Sequence, residues 1–278
     1  MDLKTYSLSK LIGGSSKESG KAKLTDASSF CYEGARTDML SEIDISECEN
    51  FYNMFYKCSK LTTIPALDTS NGTNFNSMFY SCSRLTTIPA LDTSKGTSFG
   101  GMFNSCSSLT TIPDLDVSSG TTFNSMFYSC SSLTTIPALD TSSGTDFSYM
   151  FYKCSKLTTI PALDVSSGTT FNSMFNSCSR LTNLTLLNIR NSIAIGSGTS
   201  WGHLLTVESL VNTIKELCTS TSTKILTMGS ANLAKIADLY CKVTDNTSEK
   251  KPMELCESTD EGAMTLTAYA ALKNWQLK

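Results

Sequence analysis

The sequence is poor in the groups on which enzyme chemistry usually turns. It holds one histidine, His203, and two tryptophans among 278 residues. A single imidazole with no nucleophile at a readable spacing forms no catalytic constellation. It lies after Trp201-Gly202, between the repeats and the tail, and reads as structural. No Cys-x-x-Cys pair occurs, so the clustered Cys and His ligands of zinc are missing. Charge is scarce as well: 17% of residues are Asp, Glu, Lys or Arg, and the formal net charge is −3. Nucleic acid as the main partner would require a basic stripe on a basic domain. No apolar run reaches the ~20 residues of a membrane span. The opening MDLKTYSLSKLIGGSSK lacks the basic start and unbroken apolar run of a signal peptide. Folding in the cytoplasm is therefore expected, unless a leader was removed. Gly14 to Gly20-Lys21 only imitates a phosphate loop, because five residues separate the glycines and Ala22 replaces the magnesium-binding Ser or Thr. No cofactor is expected, and no pair of carboxylates can be picked out for glycoside hydrolysis.

What the sequence has is one unit copied in register. Cys58, Cys82, Cys106, Cys130, Cys154 and Cys178 are each 24 residues apart. Met-Phe recurs from Met54-Phe55 to Met174-Phe175, Pro from Pro65 to Pro161, and Gly from Gly72 to Gly168. A fixed period of this size is the signature of a repeat stack, in which no unit buries its apolar face alone. Within the unit, L-T-T-I-P-A-L reads as a short extended segment. D-T-S-x-G-T reads as a turn, with Asp accepting main-chain N–H groups and Gly supplying φ > 0. F-x-x-M-F-x-x-C has helical spacing and predicts a turn or two of helix.

The repeats decay at both ends. Residues 1–27 read as an N-terminal helix and linker, residues 28–50 as a degenerate capping repeat, and 51–198 as the stack proper. Residues 199–278 read as a C-terminal α/β cap. There TVESLVNTIKELC predicts a helix capped by Thr206, KILTMG a strand, SANLAKIADLYC a second helix, TLTAYAALKNW a third, and QLK a last strand. The polar stretch between the second and third helices predicts irregular chain.

Each row of side chains has a plain and a functional reading. The cysteine row predicts reduced, buried, structural thiols, although neighbouring strands are close enough for disulfides. Asp68, Asp92, Asp116, Asp140 and Asp164, with Asp44 one period earlier, predict turn-capping carboxylates. Calcium is the alternative there, although the nonapeptide of calcium-binding β-rolls is absent; no metal site is assigned. The pairs Thr62-Thr63, Thr86-Thr87, Thr110-Thr111, Thr134-Thr135 and Thr158-Thr159 suit a solvated strand face. They also form the candidate binding face for a protein or glycan ligand. Lys57, Lys60, Arg84, Lys153, Lys156 and Arg180 read as a solvated rim.

The stretch LDTSNGTNFNSMFYSCSRLTTI resembles the BspA-type leucine-rich repeat, in the form F-D-T-S-x-V-T-x-M-x-x-M-F-x-x-C-x-x-L-x-x-L seen in bacterial surface lipoproteins. Leu67, Asp68, Thr69, Ser70, Thr73, Phe75, Met78, Phe79, Cys82, Leu85 and Ile88 occupy the pattern positions. Two departures stand out: Gly72 replaces the usual apolar residue, and I-P-A-L is two residues shorter than the family's loop. The tail is similar to one found after such repeats in proteins of gut bacteria and their phages, and MDLKTY looks like the start of phage structural proteins. The resemblance implies an α/β leucine-rich-repeat solenoid of 24-residue repeats, with an N-terminal cap and an α/β C-terminal cap. It implies adhesion and surface recognition without catalysis. The expected function is a phage virion-associated fibre, decoration or host-attachment component, located in the virion. Its partners would be other virion proteins or further copies of itself. The alternative is a bacterial cell-surface or extracellular leucine-rich-repeat adhesin, and a glycan hydrolase is the remote one.

Overall fold

The computed structural model describes residues 22–34, 37–195, 205–244, 251 and 253–278. The expected N-terminal helix, the linker with its phosphate-loop imitation, and His203 lie outside the described residues.

The 24-residue period is a physical translation. Parallel bridges join Asn50 to Asn74, Asn74 to Ser98, Ser98 to Thr122, Thr122 to Asp146 and Asp146 to Thr170. Each repeat contributes its Phe, Met, Phe, Cys and apolar Leu and Ile positions to one continuous core. Successive phenylalanines stack ring on ring. The row Phe51–Phe75–Phe99–Phe123–Phe147–Phe171 runs with centroids 5.4–5.9 Å apart. The row Phe55–Phe79–Phe103–Phe127–Phe151–Phe175 runs at 5.3–5.9 Å.

The segment F-x-x-M-F-x-x-C is not helical, contrary to its spacing. Its N–H groups alternate. Met78, Tyr80 and Cys82 donate back to Phe75, Ser77 and Phe79, whereas Phe75, Ser77, Phe79 and Ser81 donate forward to Ser98, Gly100, Met102 and Asn104 of the next repeat. An α-helix would close its donors on itself and leave few for the neighbour. Linked turns spend half on each and put the same residues inside. The turns require a left-handed residue every fourth position, filled by Ser77 (φ 55°), Ser81 (φ 58°), Ser125 (φ 56°) and Ser129 (φ 56°).

The extended segments form few ladders. Strands appear only where the stack is ending: β1 (Ala22–Lys23) pairs with β2 (Ile43–Asp44), and β3 (Thr159–Asp164) with β4 (Asn183–Leu187), all parallel. Proline has no N–H to give a ladder, and I-P-A-L places one in each repeat through Pro161. β4 carries Thr185 there and gains a partner, with a register shift between Ile160 and Leu163.

The glycines have a different duty from the expected one. Gly120 and Gly144 are not left-handed; a Cβ at Gly120 would sit 2.6 Å from Phe123 and 3.0 Å from Phe99. They are glycine so that the phenylalanine row can pass. Gly120→Ala is therefore expected to cost about 1–3 kcal/mol by overpacking, read as a lower urea midpoint. An unchanged midpoint would contradict the crowding argument.

The tail continues the stack. Thr206 N–H donates to Thr182 C=O one period earlier, and Ile189 bridges Leu217. β5 (Ile193–Ala194) and β6 (Lys224–Thr227) flank α1 (Val207–Lys215), whose first turn is capped by the Thr206 hydroxyl as expected. α2 (Ser230–Ile236) stops earlier than its sequence suggested, and Tyr240–Val243 becomes β7. The stretch expected to be irregular contributes β8 (Met253–Cys256), antiparallel to β7, and β9 (Met264–Thr265) pairs with β7 on its other side. α3 (Leu266–Leu272) leads into β10 (Trp275–Leu277), which joins β6 in the order β10-β6-β5. The chain is thus a mixed α/β molecule of stacked repeats with few helices.

Candidate binding surface

The linked turns point side chains inward and outward in successive pairs. Inward go Met, Phe and Cys. The thiols of Cys82, Cys106, Cys130, Cys154 and Cys178 each donate to a phenylalanine carbonyl of the previous repeat at 3.0 Å. Burial pushes Cys106 and Cys178 up to about 12. Cys130 and Cys154 are pushed well up by burial, with further help from neighbouring thiols. Such thiols are protonated at neutral pH and poor nucleophiles. Cys58 departs from the row: hydrogen bonding with the Cys82 thiol lowers it, against the effect of burial.

The carboxylates sit in the turns. Asp44, Asp68, Asp92, Asp116, Asp140 and Asp164 each accept the N–H two residues on, at 2.8–3.2 Å. In the four central turns the serine hydroxyl adds a bond at 2.7 Å. That hydroxyl is the chief reason Asp92 and Asp116 are held below the usual carboxylate range. Among the described residues no group of three or more His, Cys, Asp or Glu side chains could hold a metal ion. The basic rim, Lys57, Lys60, Arg84, Lys153, Lys156 and Arg180, is exposed.

The threonine pairs are mostly exposed, but part of their hydrogen-bonding capacity is spent. The hydroxyls of Thr86, Thr110, Thr158 and Thr182 donate to the carbonyl one repeat earlier at 3.1–3.4 Å. A second threonine row, not singled out from sequence, does the same: Thr73, Thr97, Thr121, Thr145 and Thr169 at 3.0–3.3 Å. Threonine recurs in these rows because its hydroxyl supplies an inter-repeat bond on a surface where the backbone ladder is thin.

Sequence reading also passed over an aromatic row on the outer edge of the turns. Tyr32, Tyr56 and Tyr80 stack at 5.0 and 4.8 Å, and Tyr128 and Tyr152 at 4.8 Å. All are half-buried. Tyr149 stands beside the row at 42% exposure, and Tyr52, four residues before Tyr56, is 45% exposed. Tyr149 packs edge-on to Tyr152 at 5.7 Å and adopts φ 58°. The turn gives that φ to the equivalent residue of every repeat, as at Ser77 and Ser125, so it belongs to the stack. Lys57 lies 5.2 Å over Tyr56, and Lys153 5.2 Å over Tyr152. Alongside runs a groove of about 680 Å³ lined by Ser59, Ser83, Ser107 and their neighbours. The row was legible as a Tyr before Ser- or Lys-Cys at the 24-residue spacing.

A family model described as a Mycoplasma protein of unknown function, DUF285, matches residues 25–136 and again 101–195. The matched stretch coincides with the stack, and no curated protein matches the chain significantly. No helix of the described residues is long and apolar enough to cross a membrane. With more than half of its length matched by that model, the chain belongs to the DUF285 family.

Proposed function

We propose that this chain is a non-enzymatic recognition protein, a BspA-like leucine-rich-repeat solenoid that presents a binding face at a cell surface. The observation that carries the reading is the partly exposed tyrosine row, with the exposed Tyr149 packed edge-on beside it. Tyrosine offers large, rigid, amphipathic contact area at low entropic cost, and repetition at one strand spacing turns single contacts into a strip. The threonine pairs are the weaker candidate, because several of their hydroxyls already hold neighbouring repeats together. The family match supports the surface-repeat form of this reading. The virion form has only the likeness of the chain ends behind it, and a hydrolase would need an acid pair that no observation supplies.

The test is binding of the labelled chain to intact epithelial and bacterial cells and to a glycan array. Tyr52→Asn and Tyr149→Ser give each position a residue that sister repeats carry, so the fold is preserved. The double variant is expected to bind at least tenfold more weakly. Equal binding by a folded double variant would remove the tyrosine edge as the recognition face.

A further inference from the structure

The tyrosine row is interrupted once within the central stack, and the interruption is a place. In the repeat that begins at Phe99, the sequence F-G-G-M-F-N-S-C stands where its neighbours read F-N-S-M-F-Y-S-C. Gly100 and Gly101 remove two outward side chains, and Asn104 replaces the tyrosine. The result is a hollow of about 450 Å³ lined by Asn76, Tyr80, Gly100, Gly101, Asn104 and Asn124, together with short hydroxyl side chains. Tyr80, the one aromatic side chain of that lining, has Tyr56 on one ring face, and among the described residues no ring stacks on the other. The shorter Asn104 stands one repeat step, about 5 Å, further on in the row.

The walls state what the ring should carry. No charged side chain lines the hollow. The Asn76 Oδ1 accepts the Gly100 N–H at 2.6 Å, and no protein acceptor takes its Nδ2 among the described residues. Asn124 Oδ1 reaches in from the other side, 2.6 Å from where a Gly100 Cβ would lie, and its side chain is exposed. A third group is orphaned. Asn74 and Asp146 use their side chains to take the N–H two residues on, but the shorter Thr122 leaves its hydroxyl buried without a partner. One aromatic face, amide and hydroxyl groups around it and no charge are the complement of a neutral, hydroxyl-bearing ring.

We propose that this hollow is a saccharide subsite that takes one uncharged pyranose of a surface glycan. The proposal rests on the recognition reading above and deepens it by naming the ligand class. Asn76 and Asn124 bond ring hydroxyls, Tyr80 covers one ring face, and the side chains missing at Gly100 and Gly101 leave the room.

The experiment is saturation-transfer NMR on the full chain with the methyl glycosides of glucose, galactose, mannose, N-acetylglucosamine and N-acetylgalactosamine. At least one is expected to receive saturation at its ring protons. The triple variant Gly100→Asn, Gly101→Ser, Asn104→Tyr restores the sister sequence and fills the hollow. It is expected to melt no lower than the parent and to bind at least tenfold more weakly. Asn124→Ala, at an exposed position, is expected to weaken binding tenfold and serves if the triple variant does not fold. Undiminished sugar binding by the filled variant, or by Asn124→Ala, overturns the proposal. So does a folded parent that takes none of the five glycosides. If that parent still binds cells through its tyrosine edge, the recognition reading survives and a protein ligand replaces the sugar.

Discussion

Phe127→Ala is expected to destabilise the chain by about 3–5 kcal/mol, the range for emptying a fully buried aromatic site. Phe127 is wholly buried and stacked between Phe103 at 5.6 Å and Phe151 at 5.5 Å. Its loss removes two ring pairs, each contributing about 0.5–1.5 kcal/mol beyond area burial, and cuts the row in the middle. Among the described residues Phe55 has one ring partner, Phe79, so Phe55→Ala is expected to cost less. Ser119→Ala, at an exposed position, should stay within about 0.5 kcal/mol of the parent. Urea denaturation of the three variants checks the ranking. Equal midpoints for Phe127→Ala and Ser119→Ala would contradict a core built by stacking.

The second large effect is alkaline. The usual thiol value is 9.0, and Cys106 and Cys178 are pushed up to about 12 in the fold by burial, with Cys130 and Cys154 also well raised. A raised folded value means that the folded state keeps its protons while the unfolded state loses them. Their contribution is therefore complete below about pH 9 and is lost as pH rises toward 12. Cys106 and Cys178 each forfeit about 1.4 kcal/mol by pH 10, roughly 3 kcal/mol together, and Cys130 and Cys154 add to the loss in the same direction. That is a large share of the whole stability of many domains, about 5–15 kcal/mol. Thermal melts at pH 7 and pH 10 should differ steeply in the parent and less in Cys106→Ala/Cys130→Ala. Parallel pH dependences for the two proteins would mean that the thiols are not held protonated in the core.

The period itself was legible because it is a translation. Residues that recur every 24 positions must recur in space, so Phe, Met, Cys and Leu positions could be read as core without any secondary structure. The local conformation was not legible by the same route. Apolar residues at positions one, four, five and eight satisfy a helix, but they also satisfy linked turns with a left-handed residue every fourth position. Only the demand for inter-repeat hydrogen bonds separates the two, and that demand is tertiary. Gly120 misled for a related reason. Glycine is usually read as backbone freedom, whereas here the missing atom is what matters, because Phe123 and Phe99 occupy its space. The β7–β8 hairpin was hidden because its strands carry Lys242, Glu254 and few alternating apolar residues. The candidate surface was half legible. The threonine pairs drew attention as exposed β-formers, yet Thr86 and Thr110 turn their hydroxyls to the main chain. The tyrosines were in register all along, and the break at Gly100, Gly101 and Asn104 stands out only against that register.

Every surface described above depends on repeats stacking at one strand spacing, and small-angle X-ray scattering tests that directly. The variant to measure carries three extra copies of residues 123–146 inserted in register after Asp146. Stacking predicts a folded particle of unchanged cross-section, lengthened by about 14 Å, three strand spacings. A particle that grows in volume without growing longer, or that loses cooperative unfolding, would contradict it.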